Sequence, residues 1–263
     1  MKAFITIVLT SITLSIYAQT ADTVFYRVEA VSQSSPRNIV SVKKYAYLLP
    51  GAGILYGILS QESRLLQRID HNLNAEFQEE HHQLHTRIDD RLQYMPAVSV
   101  YALGLIGVKG KNEMIDKTIL YFISNSLTGL TVDVLKSETH KLRPDGSDFW
   151  SFPSGHTAAA FAAAEFMHQE YKDISPWYGV AAYSMASATG TLRMMKNKHW
   201  LSDVVMGAGV GVLTTKLTYK VYPLAKKKMG FHKHSNILIL PNYYPGFAGF
   251  ALSARLSNKP GSH

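Results

Sequence analysis

Three clusters of polar residues between Lys136 and Asp203 hold the chemistry this sequence offers. Lys136 is followed after six residues by Arg143-Pro144. The hexapeptide Ser151-Phe-Pro-Ser-Gly-His156 lies in the middle. Arg193 is followed after five residues by His199, and after three more by Asp203. The inventory is three fixed cations, two histidines, a carboxylate and the start of a helix. Arg offers a planar fork that matches phosphate oxygens, and Lys adds a point charge. Cations so placed can neutralise the equatorial oxygens of a phosphoryl transition state. The set suits gripping a phosphoryl group and passing it to water.

Each cluster has its own logic. Ser154 precedes Gly155-His156 and the Ala-rich run Thr157 to Phe166, so it reads as a helix N-cap. Pro153 restricts Phe152 to extended conformations and sharpens the approach to that cap. A helix start leaves N–H groups free beside a positive partial charge, which together attract anions. An ordinary capped helix with a part-exposed histidine fits the hexapeptide equally well. His199 and Asp203 are four residues apart and share a face if a helix begins near His199. A carboxylate beside an imidazole fixes its tautomer and favours the cation, leaving the other nitrogen as nucleophile or base. Alone, such a pair is common on surfaces; beside Arg193 and the other clusters it points to a site.

In order and spacing the three blocks resemble the signatures of the type 2 phosphatidic acid phosphatase family, whose superfamily includes class A acid phosphatases and vanadium haloperoxidases. The likeness runs from about residue 95 to residue 222. It implies an all-α helical bundle with the site at one end. The fixed cations at Lys136, Arg143 and Arg193 can replace a metal, so a metal-independent reaction without a cofactor is expected. By this resemblance His199 is the nucleophile that forms a phosphohistidine, Asp203 orients it, and His156 protonates the leaving group. Lys136, Arg143, Ser154, Gly155 and Arg193 hold the phosphate. The third block departs at Leu192, where the family usually has Ser.

The elements that must position these residues are helical. Apolar segments run over 96–108, 115–135, 154–171, 177–192 and 200–222. Gly207-x3-Gly211 permits close helix approach. It sits within a helix, so it is no dinucleotide fingerprint. Upstream, Leu66, Ile69, Leu73, Phe77, Leu84, Ile88 and Leu92 recur at helical spacing, which predicts one or two amphipathic helices over 61–93. His81, His82 and His85 fall on that stretch. A solvated face accounts for them better than a metal site, for want of a third-ligand pattern. Four regions follow: 1–18, a signal or anchor with a basic start and short apolar core; 19–94, polar; 95–222, the core; 223–263, a tail. In the tail Ile237–Leu240 and Phe247–Leu252 predict a short hairpin.

Net charge is +8 over 263 residues, with 11 histidines and no cysteine. Disulfides and thiol catalysis are excluded. A basic balance favours anionic partners, and the absence of any nucleic-acid motif leaves a membrane or a phosphorylated lipid. Mean hydropathy is only −0.04, and two segments approach the ~20 apolar residues of a bilayer span. With the blocks facing outward, Lys109, Lys111, Lys117, Lys172 and Lys226 to Lys228 fall inside, as the positive-inside pattern requires. The segment 45–59 is short and broken by Pro50 and three glycines, and is not expected to cross. The expectation is an inner-membrane phosphatase with a periplasmic site, acting on undecaprenyl diphosphate, phosphatidic acid, phosphatidylglycerol phosphate or lipid A. Its rivals are a soluble periplasmic acid phosphatase, a vanadate-dependent haloperoxidase and a non-catalytic envelope protein.

Overall fold

A computed structural model describes residues 46–80, 84, 86–228, 236–244 and 247–255. The expected signal over 1–18, the polar stretch to 44, and His81, His82 and His85 lie outside the described residues. Eight helices carry the described fold. They are α1 (Leu48–Glu62), α2 (Arg64–Glu80), α3 (Ile88–Leu92), α4 (Met95–Leu105), α5 (Met114–Thr139), α6 (Gly155–Tyr171), α7 (Pro176–Met195) and α8 (Leu201–Lys228). The expected tail hairpin forms as β1 (Asn236–Tyr244) antiparallel to β2 (Phe247–Arg255), in register from Asn236 opposite Arg255 to Tyr244 opposite Phe247.

Local chemistry sets the helix ends. Ser154 caps α6 by accepting a hydrogen bond from Thr157 N at 3.4 Å. Ser175 caps α7 in the same way and Pro176 fills its first turn, where the missing N–H has no partner to lose. α5 ends on His140, whose left-handed backbone (φ 45°) returns its N–H to Lys136 O.

α6 is the central helix. Ala158, Ala160, Ala162, Ala163 and Ala164 are fully buried, and α4, α5, α7 and α8 pack around it. Small side chains let these helices approach closely. A methyl at Gly207 of α8 would stand 2.6 Å from Ser154 O, and one at Gly211 would stand 2.2 Å from Ala158 O. The glycine pair is therefore a contact seam, as its spacing suggested. The glycines of the 45–59 segment act similarly: Gly53 and Gly57 of α1 meet Val205 and Met206 of α8. Phe166 and Tyr171 fill the remaining volume, each contributing about 1.5–3 kcal/mol by burial.

Two carboxylates buried inside the bundle are paired. Glu165 is fully buried and accepts from Lys216, Gln169 and Tyr183. Glu170 accepts from Tyr219 and Asn112, with Lys117 at 3.8 Å. Among the described residues, α5 alone is long and apolar enough to cross a membrane. Its row Ile123, Leu127, Leu130 and Val134 faces outward. The second long apolar run, in α8, carries Lys216 and Lys220 and does not qualify.

Candidate active site

Two helix N-termini meet at one end of the bundle. Ser154 N donates to Asp203 O at 3.0 Å, which joins the start of α6 to the first turn of α8. The close approach at Gly207 makes that contact possible. The loop between α5 and α6 folds over the same end. Lys136 Nζ donates to Trp150 O, Ser151 N donates to Lys141 O, and Asp145 N donates to Asn197 O. Thus all three sequence blocks are tied together by backbone hydrogen bonds, and the expected site residues converge.

His199 is 2% exposed. Its Nδ1–H donates to Ser151 O at 2.8 Å, which leaves Nε2 with a free lone pair. Asp203 Oδ2 lies 3.6 Å from the same Nδ1, within ion-pair range but too long for a good hydrogen bond. The carboxylate is instead spent on its own helix and its neighbours. It accepts from Trp200 N at 2.9 Å, from Ser151 Oγ, and from Lys141 Nζ at 2.9 Å. Asp203 pulls the His199 pKa upward, as expected, but does not decide it. Burial lowers the His199 pKa to about 4, outweighing the upward pull of Asp203, and Arg193 and Lys136 lower it further. Desolvation disfavours the cation, so the imidazole is neutral at physiological pH.

The cations also assemble. Arg143 and Arg193 both lie within electrostatic reach of Lys136. Arg143 Nε donates to Asp148 Oδ1 at 2.6 Å, and together with Trp150 N it holds the Asp148 pKa low against the opposing effect of burial. Arg193 Nη1 donates to Asp89 Oδ2 at 2.8 Å. Arg193 Nε is enclosed and has no hydrogen-bond partner among the described residues. A buried guanidinium N–H left unpaired is costly unless an oxyanion completes it.

His156 is half-buried, and its Nε2–H donates to Asp90 Oδ1 at 2.9 Å. Burial, then the charge of Arg193, lowers its pKa below the usual histidine value, against the pull of Asp90. Asp89 is fully buried. Burial alone would raise its pKa, but Arg193 and Lys196 hold it below the carboxylate range. The ligand atoms of Asp89, Asp90 and His156 lie within 4.8 Å of one another, a spacing that suits a cation. Asp89 is already neutralised by Arg193 and Lys196, so the trio presents little spare charge to a metal.

Sequence reasoning missed Asp89, Asp90, Lys141, Ser151 and Asp70. Asp89 and Asp90 sit in a short amphipathic helix whose charges read as solvated. Lys141 lies inside the six-residue spacer of the first block. Asp70 belongs to α2, where nothing in the periodicity separates a buried carboxylate from an exposed one.

Residues 117–227 match the family model of the PAP2 superfamily. This segment belongs to that superfamily. A lipid A 1-phosphatase of Porphyromonas gingivalis is 40% identical over 159 residues, 56% of this chain and 36% of the relative. A lipid A 1-phosphatase of Rhizobium johnstonii is 32% identical over 118 residues, 38% of this chain and 46% of the relative. The chain thus spans less than half the length of the curated relatives it matches. Among solved structures, Aquifex aeolicus LpxE aligns with a TM-score of 0.42 at 22% identity, over 56% of this chain and 93% of that one. The PAP2-type phosphatidylglycerolphosphate phosphatase of Bacillus subtilis aligns with a TM-score of 0.48 at 19% identity, over 70% and 98%.

Proposed function

We propose that the PAP2 core is a metal-independent phosphatase that removes phosphate from a membrane lipid through a phosphohistidine. The observation that carries this reading is the Arg193 guanidinium. It is buried, its Nε has no hydrogen-bond partner among the described residues, and it acts on His199 together with Lys136. Arg193 and Lys136 act on the neutral His199 and Arg143 lies beside Lys136, so an entering oxyanion would complete Arg193 Nε and meet all three cations. Phosphate oxygens would be held by Arg193, Arg143 and Lys136, with Ser154, Gly155 and the N–H groups that open α6.

In the first step His199 Nε2 attacks phosphorus. The N–P bond forms as the O–P bond to the lipid breaks, and His156 gives its proton to the departing oxygen. Asp90 occupies His156 Nε2, so Nδ1 is the nitrogen that would carry that proton. In the second step water attacks phosphorus and gives a proton to His156, and the N–P bond breaks to release phosphate and neutral His199. The Nδ1–H bond to Ser151 O keeps His199 in the attacking tautomer throughout.

The two relatives named lipid A 1-phosphatase favour a lipid A anomeric phosphate over undecaprenyl diphosphate, phosphatidic acid or phosphatidylglycerol phosphate. Purified protein assayed on these four lipids should release phosphate fastest from lipid A. Acid-labile phosphate should be trapped on the wild type and vanish in His199→Ala. Chelator should leave the rate unchanged, and vanadate should inhibit. Loss of activity to chelator with recovery on adding a divalent cation would refute the metal-free mechanism. Turnover of soluble phosphate esters alone, by protein soluble without detergent, would favour the acid phosphatase.

A further inference from the structure

Helix α2 lies outside the 117–227 segment that matches the family, yet one of its side chains enters the site. Asp70 is 3% exposed. Its Oδ1 accepts from Ser202 N at 2.9 Å, and its Oδ2 accepts from Ser202 Oγ. Lys141 Nζ closes the set, donating to Ser202 Oγ at 2.8 Å and Asp203 Oδ1 at 2.9 Å, with Asp70 Oδ2 at 3.4 Å. Ser202 is the second residue of α8, where backbone N–H groups have no helical partner. Asp70 is therefore an N-cap supplied by a different helix. Its charge also lies at the positive end of the α8 dipole, where an anion is favoured.

The position of this cap gives it a consequence for the reaction. Ser202 stands between His199 and Asp203, the residues whose spacing sets the nucleophile. Asp203 alone could tilt with the frayed first turn of a helix. Two carboxylates so close would repel, but Lys141 lies between them and is itself stacked near the Phe152 and Trp200 rings at 5.6 and 5.9 Å. His71, next to Asp70, meets the Trp200 ring edge-on at 4.6 Å. α2 thus clamps the first turn of α8 from outside the bundle.

We propose that Asp70 is a positioning residue for the phosphoryl transfer, fixing the α8 N-terminus through Ser202 and Lys141 so that His199 Nε2 keeps its line of attack. This rests on the reading of His199 as the nucleophile. Asp70→Asn keeps the shape but removes the charge and one acceptor. In the full-length protein in detergent, kcat should fall about 10- to 100-fold, the scale set by ångström-sized misplacement of a reacting group, with KM changed less than about threefold. In an Asp203→Asn background the same change should add less than about twofold, because the two act through one network. Asp70→Glu, which restores the charge, should recover part of the rate.

A readout independent of turnover separates this inference from the functional one. In protein labelled with nitrogen-15 histidine, the His199 Nδ1–H resonance, identified by its absence in His199→Ala, should exchange with solvent at least about tenfold faster in Asp70→Asn, as expected for a locally opened helix end. If wild type hydrolyses no phospholipid, the functional reading fails and this measurement still decides the role of Asp70. Wild-type kcat and unchanged exchange in Asp70→Asn would overturn the proposal, as would a rate loss of full size in the Asp203→Asn background. Should Asp70→Asn not accumulate as folded protein, Ser202→Ala removes the hydroxyl that links Asp70 to Lys141 and leaves only the cap on the backbone N–H of residue 202. It should lower kcat several-fold and accelerate the exchange; unchanged values there would overturn the proposal equally.

Discussion

At the scale of single residues, the proposed reaction needs one histidine neutral and another able to carry a proton. His199 reaches the first state through burial, and Asp203 only moderates it. The sign of that balance gives a prediction. Attack needs neutral His199, so kcat/KM should rise as pH climbs through about 4. It should fall again as His156 loses its proton, at a pH below the ordinary histidine value of about 6.5. Asp203→Asn removes an upward pull on His199, so the acidic limb should move to lower pH. A limb that stays in place or moves up would contradict this assignment. Arg193→Lys is the companion test. Lysine cannot place a second N–H where Nε sits, so kcat should fall about 100- to 1,000-fold, the usual cost of one oxyanion donor. Near-normal kcat in that variant would remove Arg193 from the phosphate cradle. Residue types and spacing made these groups legible in the sequence. Their ionisation was not legible, because desolvation of His199 depends on helices far away in the chain.

At the scale of helices, the site depends on how closely α6 and α8 approach. A methyl at Gly207 would meet Ser154 O, the carbonyl of the residue that caps α6, whereas one at Gly211 would meet Ala158 O, a turn further from the site. Both contacts are with backbone, which cannot rotate away. Each alanine substitution should therefore destabilise the protein by about 1–3 kcal/mol, as overpacking does. The two should differ in function. Gly207→Ala should lower kcat sharply by parting the two helix starts, and Gly211→Ala should act mainly on thermal stability. Gly129 of α5 has open space around it, so Gly129→Ala should be neutral or stabilise by up to about 1 kcal/mol through helix propensity. Equal kcat losses for Gly207→Ala and Gly211→Ala would show that the approach of the helix starts is not what matters. The Gly-x3-Gly spacing and the Ala-rich run of α6 were readable in advance as close-packing elements. The clamp by α2 was not. Its amphipathic pattern records only that one face is apolar, and Asp70 shows that a buried carboxylate can sit on such a helix when a lysine and a helix N-terminus receive it.

For the whole molecule, the question is how α5 would set the bundle in a bilayer. α5 is 26 residues long, about 39 Å at 1.5 Å per residue, enough for a hydrocarbon core of about 30 Å. Its Lys136 end carries the site, and Lys117 lies towards the other. Around that far end sit Lys109, Lys111 and Lys172, joined by the C-terminal lysines of α8 through Lys226 on Asp116. Two of these cations count for less than the sequence suggested. Lys117 is buried against Glu170, and Lys226 is paired with Asp116. With α5 across a bilayer, the remaining excess would favour that end on the cytoplasmic side. A cysteine at Ser147, exposed in the loop between α5 and α6, should then react with an impermeant maleimide in intact spheroplasts. At the far end Lys109 is the better position, being exposed, whereas Asn112 donates to Glu170. A cysteine there should stay protected until the membrane is broken. The chain has no cysteine of its own, so each labelling reports one position. The reverse pattern would place the catalytic end in the cytoplasm, and equal labelling of both would mean that no bilayer separates them.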